Sequence, residues 1–196
     1  LAHNLELVDG NKFEDDNDTL VFHRQSTGLN YLNDSPDDDD VNHIPKHINF
    51  CDEGLPDAKT TPFFNMKTYF AHMNNYNSSS SSSNNNGPIG SILAYGEVVT
   101  STNTMLDKNP RWLARLPHGL VFTATSQVAG RGRGGNVWVN PRGVMATSVL
   151  FRMPAGVDVS SRVVTLQYLC SIALIESMLG YGQSEPGQGA GYEDMP

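Results

Sequence analysis

The sequence predicts an α+β fold, and it predicts that fold for the second half of the chain. Two observations carry the expectation. From about residue 89 onward, short runs of β-favouring apolar residues alternate with helical patterns, whereas the chain before that point is acidic, polar or repetitive. Residues 1–60 carry carboxylate clusters such as Glu14-Asp15-Asp16-Asn17-Asp18 and Asp37-Asp38-Asp39-Asp40, with few periodic apolar positions. Self-repelling charge opposes collapse, so this stretch reads as an acidic linker with extended pieces and a short strand around Leu20-Val21-Phe22.

Each later element has its own cause. Over residues 61–73, Phe63, Met66, Phe70 and Met73 fall on one helical stripe, which predicts a docking helix. Residues 74–88 hold six consecutive serines and then three asparagines, a composition with too little apolar surface to offset the entropy of ordering, so a disordered insertion is expected. Residues 89–196 form the globular part. A strand is expected over 92–99, a helix over 104–108 broken by Asn109-Pro110, a strand over 120–125, and a buried strand with little polar alternation over 144–152. A long helix over 159–179 follows, capped by Ser160 or Ser161, apolar on most sides through Val163, Leu166, Leu169, Ile172 and Leu179, and ended by Gly180. In that setting Cys170 reads as a core thiol.

Composition narrows the function. With 13 basic against 21 acidic side chains and a net charge of −8, the chain is a poor electrostatic match for a polyanion, so no nucleic-acid partner is expected. The two cysteines, Cys51 and Cys170, are far apart and no charged-then-apolar leader opens the chain, so a reducing, cytoplasmic setting is expected. No stretch reads as long and apolar enough to span a membrane, and no membrane partner is expected. His43-x-x-x-His47-x-x-x-Cys51 has the spacing of metal ligands on a helix. Pro45 lies between the two histidines and no fourth ligand is near, so no metal site is expected.

The run Gly130-Arg131-Gly132-Arg133-Gly134-Gly135-Asn136 is the most informative segment. Four glycines within it free the backbone to turn successive N–H groups toward one ligand, and the two arginines present planar, permanently charged forks that suit a carboxylate or phosphate. The run therefore reads as an anion clamp, against the plainer alternative of a mobile basic turn. Gly130, Gly132 and Gly135 also satisfy G-x-G-x-x-G. A dinucleotide fingerprint must open a helix, however, and Val137-Trp138-Val139 favours a strand; a kinase would need H-R-D and D-F-G downstream, and neither occurs.

Tyr95-Gly96-Glu97-Val98-Val99-Thr100-Ser101-Thr102-Asn103-Thr104, followed after a spacer by the segment from Gln127 to Trp138, resembles the first half of the catalytic domain of biotin-protein ligases. The Ser-Thr-Asn element and the Gly-Arg-Gly-Arg-Gly run come in that family's order and spacing, and Phe63-Phe64-Asn65-Met66-Lys67-Thr68-Tyr69-Phe70 is similar to the segment leading into this domain in its large eukaryotic members. The resemblance implies a mixed sheet flanked by helices, as in class II synthetases. It implies ATP-dependent attachment of biotin to a lysine of the biotin-acceptor domains of carboxylases through biotinyl-5′-AMP, with Mg²⁺ on the phosphates.

The same resemblance assigns roles. Arg131 would lie beside the biotin carboxylate and the α-phosphate, and Arg133 would belong to a closing loop that shields the adenylate. Ser101, Thr102 and Gln127 would bind the ureido ring, with Gly130 beside them, while Gly132 and Trp138 would line the adenylate site. Ser101 and Thr102 also read as helix N-caps, and both roles are compatible. The chain ends before the Lys-Trp-Pro-Asn-Asp strand that follows in the family, so an incomplete domain, inactive alone, is expected. A non-catalytic anion- or peptide-binding module keeping the Gly-Arg run is the second reading; a lipoate-protein ligase relative, which lacks that run, ranks lower.

Overall fold

The computed structural model describes residues 10–16, 18–24, 45–52, 54–79, 88–154, 156 and 158–184. In chain order they form β1 (Lys12–Glu14), β2 (Thr19–Arg24), β3 (Lys46–Phe50), α1 (Met66–Ser79), β4 (Leu93–Val99), α2 (Thr102–Asp107), α3 (Pro110–Arg115), β5 (Val121–Arg131), a 3-10 turn (Arg133–Gly135), β6 (Val137–Asn140), β7 (Ala146–Val149) and α4 (Val159–Ser184). Both sheets are mixed. In the first, β1 runs antiparallel and β3 parallel to β2. In the second, β4 runs parallel to β5, and β6 and β7 pair antiparallel along the opposite edge of β5. The α+β expectation holds.

The first sheet corrects the linker reading for the described residues before 60. Phe13, Leu20 and Phe22 are buried and share one core with Val99, Leu106, Trp112, Leu116, Leu120, Phe122, Ala124 and Ala146. Trp112 is the hinge of that core, its ring 5.4 Å from Phe22 and 6.5 Å from Phe13. The carboxylates that suggested a solvated tether are used structurally. Pro110 occupies the first turn of α3, and the Asp15 carboxylate accepts the orphan N–H of Trp112 at 2.7 Å, a cap delivered from another part of the chain. Asp18 pairs with Lys46 and accepts from the buried Asn109 Nδ2 at 2.6 Å. Burial pushes the Asp18 carboxyl up, but the hydrogen bonds from Lys46 and Asn109 and the charges of Lys46 and Lys108 outweigh it and hold the group below its ordinary value. No local window of sequence shows partners so far along the chain.

Asn65 starts α1 by accepting the Thr68 N–H at 2.9 Å, and the helix runs past residue 73 into the Asn/Ser stretch as far as Ser79. The remainder of the expected insertion, 80–87, lies outside the described residues. Met66, Phe70 and Met73 of the expected stripe are half-buried, and Phe64 and Tyr69 add to the docking contacts. Phe63 lies before the helix under the Arg142 guanidinium, whereas Phe64 packs 5.1 Å from Tyr95 and the Tyr69 hydroxyl donates to Gly90 O at 2.8 Å. Gly90 has φ +88, and a Cβ there would meet the Tyr69 hydroxyl at 2.6 Å, so this position needs glycine.

Three boundaries in the second sheet differ from expectation. α2 begins at Thr102, and β5 continues to Arg131, taking in the first two residues of the Gly-Arg run. β7 has four residues with alternating burial, Ala146 inside and Val149 38% exposed, rather than being a buried strand over 144–152. Arg152 ends this unit by donating to Leu113 O, Ala114 O and Leu116 O, the orphan carbonyls at the close of α3.

α4 belongs to a separate compact unit of residues 153–196. Its cap is Asp158, whose carboxylate accepts the Ser160 N–H at 3.0 Å, in place of Ser160 or Ser161. The helix passes through Gly180 because one interior glycine costs only about 1 kcal/mol. Cys170 is exposed, which corrects the core-thiol reading. The expectation that no stretch could span a membrane also fails by length and composition: the 22-residue span Val159–Gly180 contains an 18-residue window of mean hydropathy 1.5. Polar residues such as Gln167, Ser171 and Glu176 interrupt the apolar surface and masked that average in the sequence.

Candidate functional site

The site is built where β4 hands over to α2 beside the middle of β5. Ser101, 2% exposed, accepts the Thr104 N–H at 3.3 Å and is the N-cap of α2. The next orphan donor of the helix goes elsewhere. The Thr102 N–H donates to Gln127 Oε1 at 2.8 Å, and the Thr102 hydroxyl lies 3.2 Å from the same oxygen and 2.8 Å from Ser148 Oγ. This orients the Gln127 amide. With Oε1 engaged at the helix start, Nε2 is left as a donor, and Gly130 keeps the space beside it open, since a Cβ there would stand 3.2 Å from Nε2.

The Gly-Arg run folds as a β-hairpin, so part of its backbone pairs within the hairpin instead of facing a ligand. Gly130 pairs with Trp138 and Arg131 with Val137, the Gly132 N–H donates to Asn136 O at 2.8 Å, and the Asn136 N–H donates to Arg133 O at 3.4 Å. These amides serve the hairpin. Gly134 and Gly135 turn the chain at φ 68 and 81, the left-handed region that favours glycine, and a Cβ on Gly132 would run into the Trp138 indole nitrogen. The strand after the turn agrees with the exclusion of a dinucleotide fold. What the run offers an anion is its guanidinium groups.

Arg131 Nη1 donates to Asp107 Oδ2 at 2.8 Å, with both side chains more than half exposed. The Trp138 indole is 61% exposed. Of the residues expected at the site, Ser101, Thr102, Gln127, Gly130, Arg131 and Trp138 line one cleft of about 300 Å³. Gly132 and Arg133 lie on the hairpin outside that lining. Ser148, Asn140 and Thr147 complete the polar wall and were missed. Ser148 follows Ala146 by two residues on β7, a period-2 signal hidden by reading that strand as uniformly buried. Asp107 was missed as well.

A cleft of this size suits one small ligand, at the lower end of the roughly 300–1,000 Å³ range of such sites. Its chemistry is graded. One end has oriented amide and hydroxyl groups for a neutral polar ring, the rim has a guanidinium for an anion, and an exposed indole stands beside it. Among the described residues no group of three or more His, Cys, Asp or Glu side chains could hold a metal ion. His47 sits on a strand, its Nδ1 2.8 Å from His23 Nε2, so the helical spacing with Cys51 does not exist; His43 lies outside the described residues.

Comparison with known proteins shows the family. The model of the biotin/lipoate A/B protein ligase family matches residues 95–194, and the chain belongs to that family. It is similar to a biotin–protein ligase of Schizosaccharomyces pombe, 30% identical over 158 residues that cover 81% of this chain and 22% of that protein. A biotin–protein ligase of Homo sapiens is 31% identical over 94 residues, 46% of this chain and 12% of that protein. Biotin–protein ligase 2 of Arabidopsis thaliana is 33% identical over 90 residues, 45% of this chain and 25% of that protein. The chain thus spans a quarter or less of the length of these relatives.

Proposed function

We propose that the chain carries the biotin- and ATP-binding cleft of a biotin–protein ligase. The protein would join biotin to a lysine of carboxylase biotin-acceptor domains through biotinyl-5′-AMP. The observation that supports this best is the meeting, in one small cleft, of the oriented Gln127 amide, the Thr102 hydroxyl and the Arg131 guanidinium, on a chain whose relatives are named biotin–protein ligases.

In this reading the Gln127 Nε2–H groups donate to the ureido oxygen, while the hydroxyls of Thr102 and Ser148 exchange donor roles to meet the ring. The biotin carboxylate attacks the α-phosphorus of ATP, a new P–O bond forms, the bond to the bridging oxygen breaks and pyrophosphate leaves. Arg131 offsets the charge gathered by two approaching anions, so its contribution is positioning and electrostatic stabilisation. Trp138 offers its face to the adenine. Arg133, on the glycine-flanked turn, folds over the mixed anhydride and keeps water away. The acceptor lysine amine then attacks the acyl carbon, AMP leaves and the ammonium proton passes to solvent. Mg²⁺ bound to the triphosphate would supply charge neutralisation there.

The test is biotin-dependent exchange of labelled pyrophosphate into ATP by the full-length protein. Exchange that requires biotin and falls sharply in Arg131→Ala supports the reading. Exchange independent of biotin, or supported by lipoate in its place, overturns it.

A further inference from the structure

The Arg131–Asp107 pair joins the two elements that frame the cleft. Arg131 is the last residue of β5, and Asp107 is the last residue of α2, whose first residue, Thr102, lines the cleft's polar end. Helix chemistry gives no reason for a carboxylate at that place. The end of a helix carries partial negative charge and favours cations, and aspartate is among the weaker helix formers. Asp107 instead accepts one hydrogen bond from Arg131 Nη1, and among the described residues this is the contact that the guanidinium makes. A guanidinium has five N–H donors in a planar fork. Held through one of them, it keeps the rest of the fork for a ligand, and Arg131 lines the cleft.

We propose that Asp107 is a positioning residue for the anion-binding end of the site, acting through Arg131. α2 has six residues, so it extends about 9 Å, and it sets the separation between the polar end at Thr102 and the cationic end at Asp107–Arg131. The identity of the ligand rests on the biotin–ATP reading above; the coupling concerns any carboxylate or phosphate that Arg131 holds. Both partners are more than half exposed, so the effect belongs to the range of surface ion pairs, about two- to fivefold in affinity.

The experiment is a double-mutant cycle in the full-length protein with Asp107→Ala, Arg131→Ala and both together, plus Asp107→Asn. Binding of biotin is read by titration calorimetry and turnover by biotin-dependent pyrophosphate exchange. Asp107→Ala is expected to weaken biotin about two- to fivefold, the double variant to be no weaker than Arg131→Ala alone, and Asp107→Asn, whose amide oxygen still accepts the N–H, to recover most of the loss. Additive losses, unchanged affinity, or tighter binding in Asp107→Ala, which would make the carboxylate a competitor of the ligand, overturn the proposal. If the wild-type protein binds no biotin, the functional reading fails instead. Titration with pyrophosphate then reads the same coupling: Asp107→Ala must weaken pyrophosphate only while Arg131 is present, and equal weakening without Arg131 overturns it.

Discussion

At Thr102 the helix cap and the ligand cleft use the same atoms. Its N–H is an orphan donor of α2, its hydroxyl reaches Gln127 and Ser148, and the residue is 3% exposed. Thr102→Ala keeps the N–H to Gln127 but leaves Ser148 Oγ and the ligand without the hydroxyl. The expected cost is about 1 to 3 kcal/mol of biotin affinity, with ATP affinity nearly unchanged. Separate titrations with biotin and ATP check this, and a selective loss of ATP binding would assign the element to the nucleotide. Ser101, Thr102 and Gln127 were legible as a motif. The orientation of the Gln127 amide was not, because it follows from the register that places Val99 opposite Gln127, and Ser148 entered only through its pairing with Phe122.

On the scale of elements, the hairpin shows how far a glycine pattern carries. Val137-Trp138-Val139 foretold a strand after the run, and β6 is there. That the backbone amides would pair with each other rather than face a ligand depends on the β5–β6 ladder, which residue types do not encode locally. The turn from Arg133 to Gly135 holds two left-handed glycines and presents Arg133 exposed on the hairpin. Arg133→Gly in the full-length protein should therefore weaken retention of biotinyl-AMP more than its formation. Release of the adenylate and biotinylation of a bystander protein are expected to rise. Both staying at wild-type level while overall activity falls would contradict a shielding role.

For the molecule as a whole, the first sheet is joined to the site through α3 and α2. Asp15 caps α3, and Asp18 holds Asn109, which in turn donates to Met105 O within α2. The acidic composition of the first 60 residues concealed this, since a charge cluster looks solvated until its partners about ninety residues away are known. Asp18 gives a pH test with a defined sign. Its folded pKa lies below the ordinary value, so its contribution to stability is complete above about pH 4 and is lost as pH falls through the folded value. Asp18→Asn should lower stability at neutral pH, and the gap to wild type should close in acid. Denaturant unfolding followed by Trp112 fluorescence in a Trp138→Phe background measures the gap, and a gap independent of pH would contradict the assignment.

The claim that the cleft beside α2 is the biotin site is tested most directly at Gln127. Gln127→Glu retains an oxygen to accept the Thr102 N–H, so the local architecture keeps its bond, while the Nε2 donor is replaced by an anionic acceptor. Calorimetric titration of biotin into the full-length variant should show affinity reduced at least about tenfold, as expected for a buried polar contact replaced by a repulsive one, with ATP binding retained. Biotin affinity equal to wild type would show that the ureido ring is bound elsewhere.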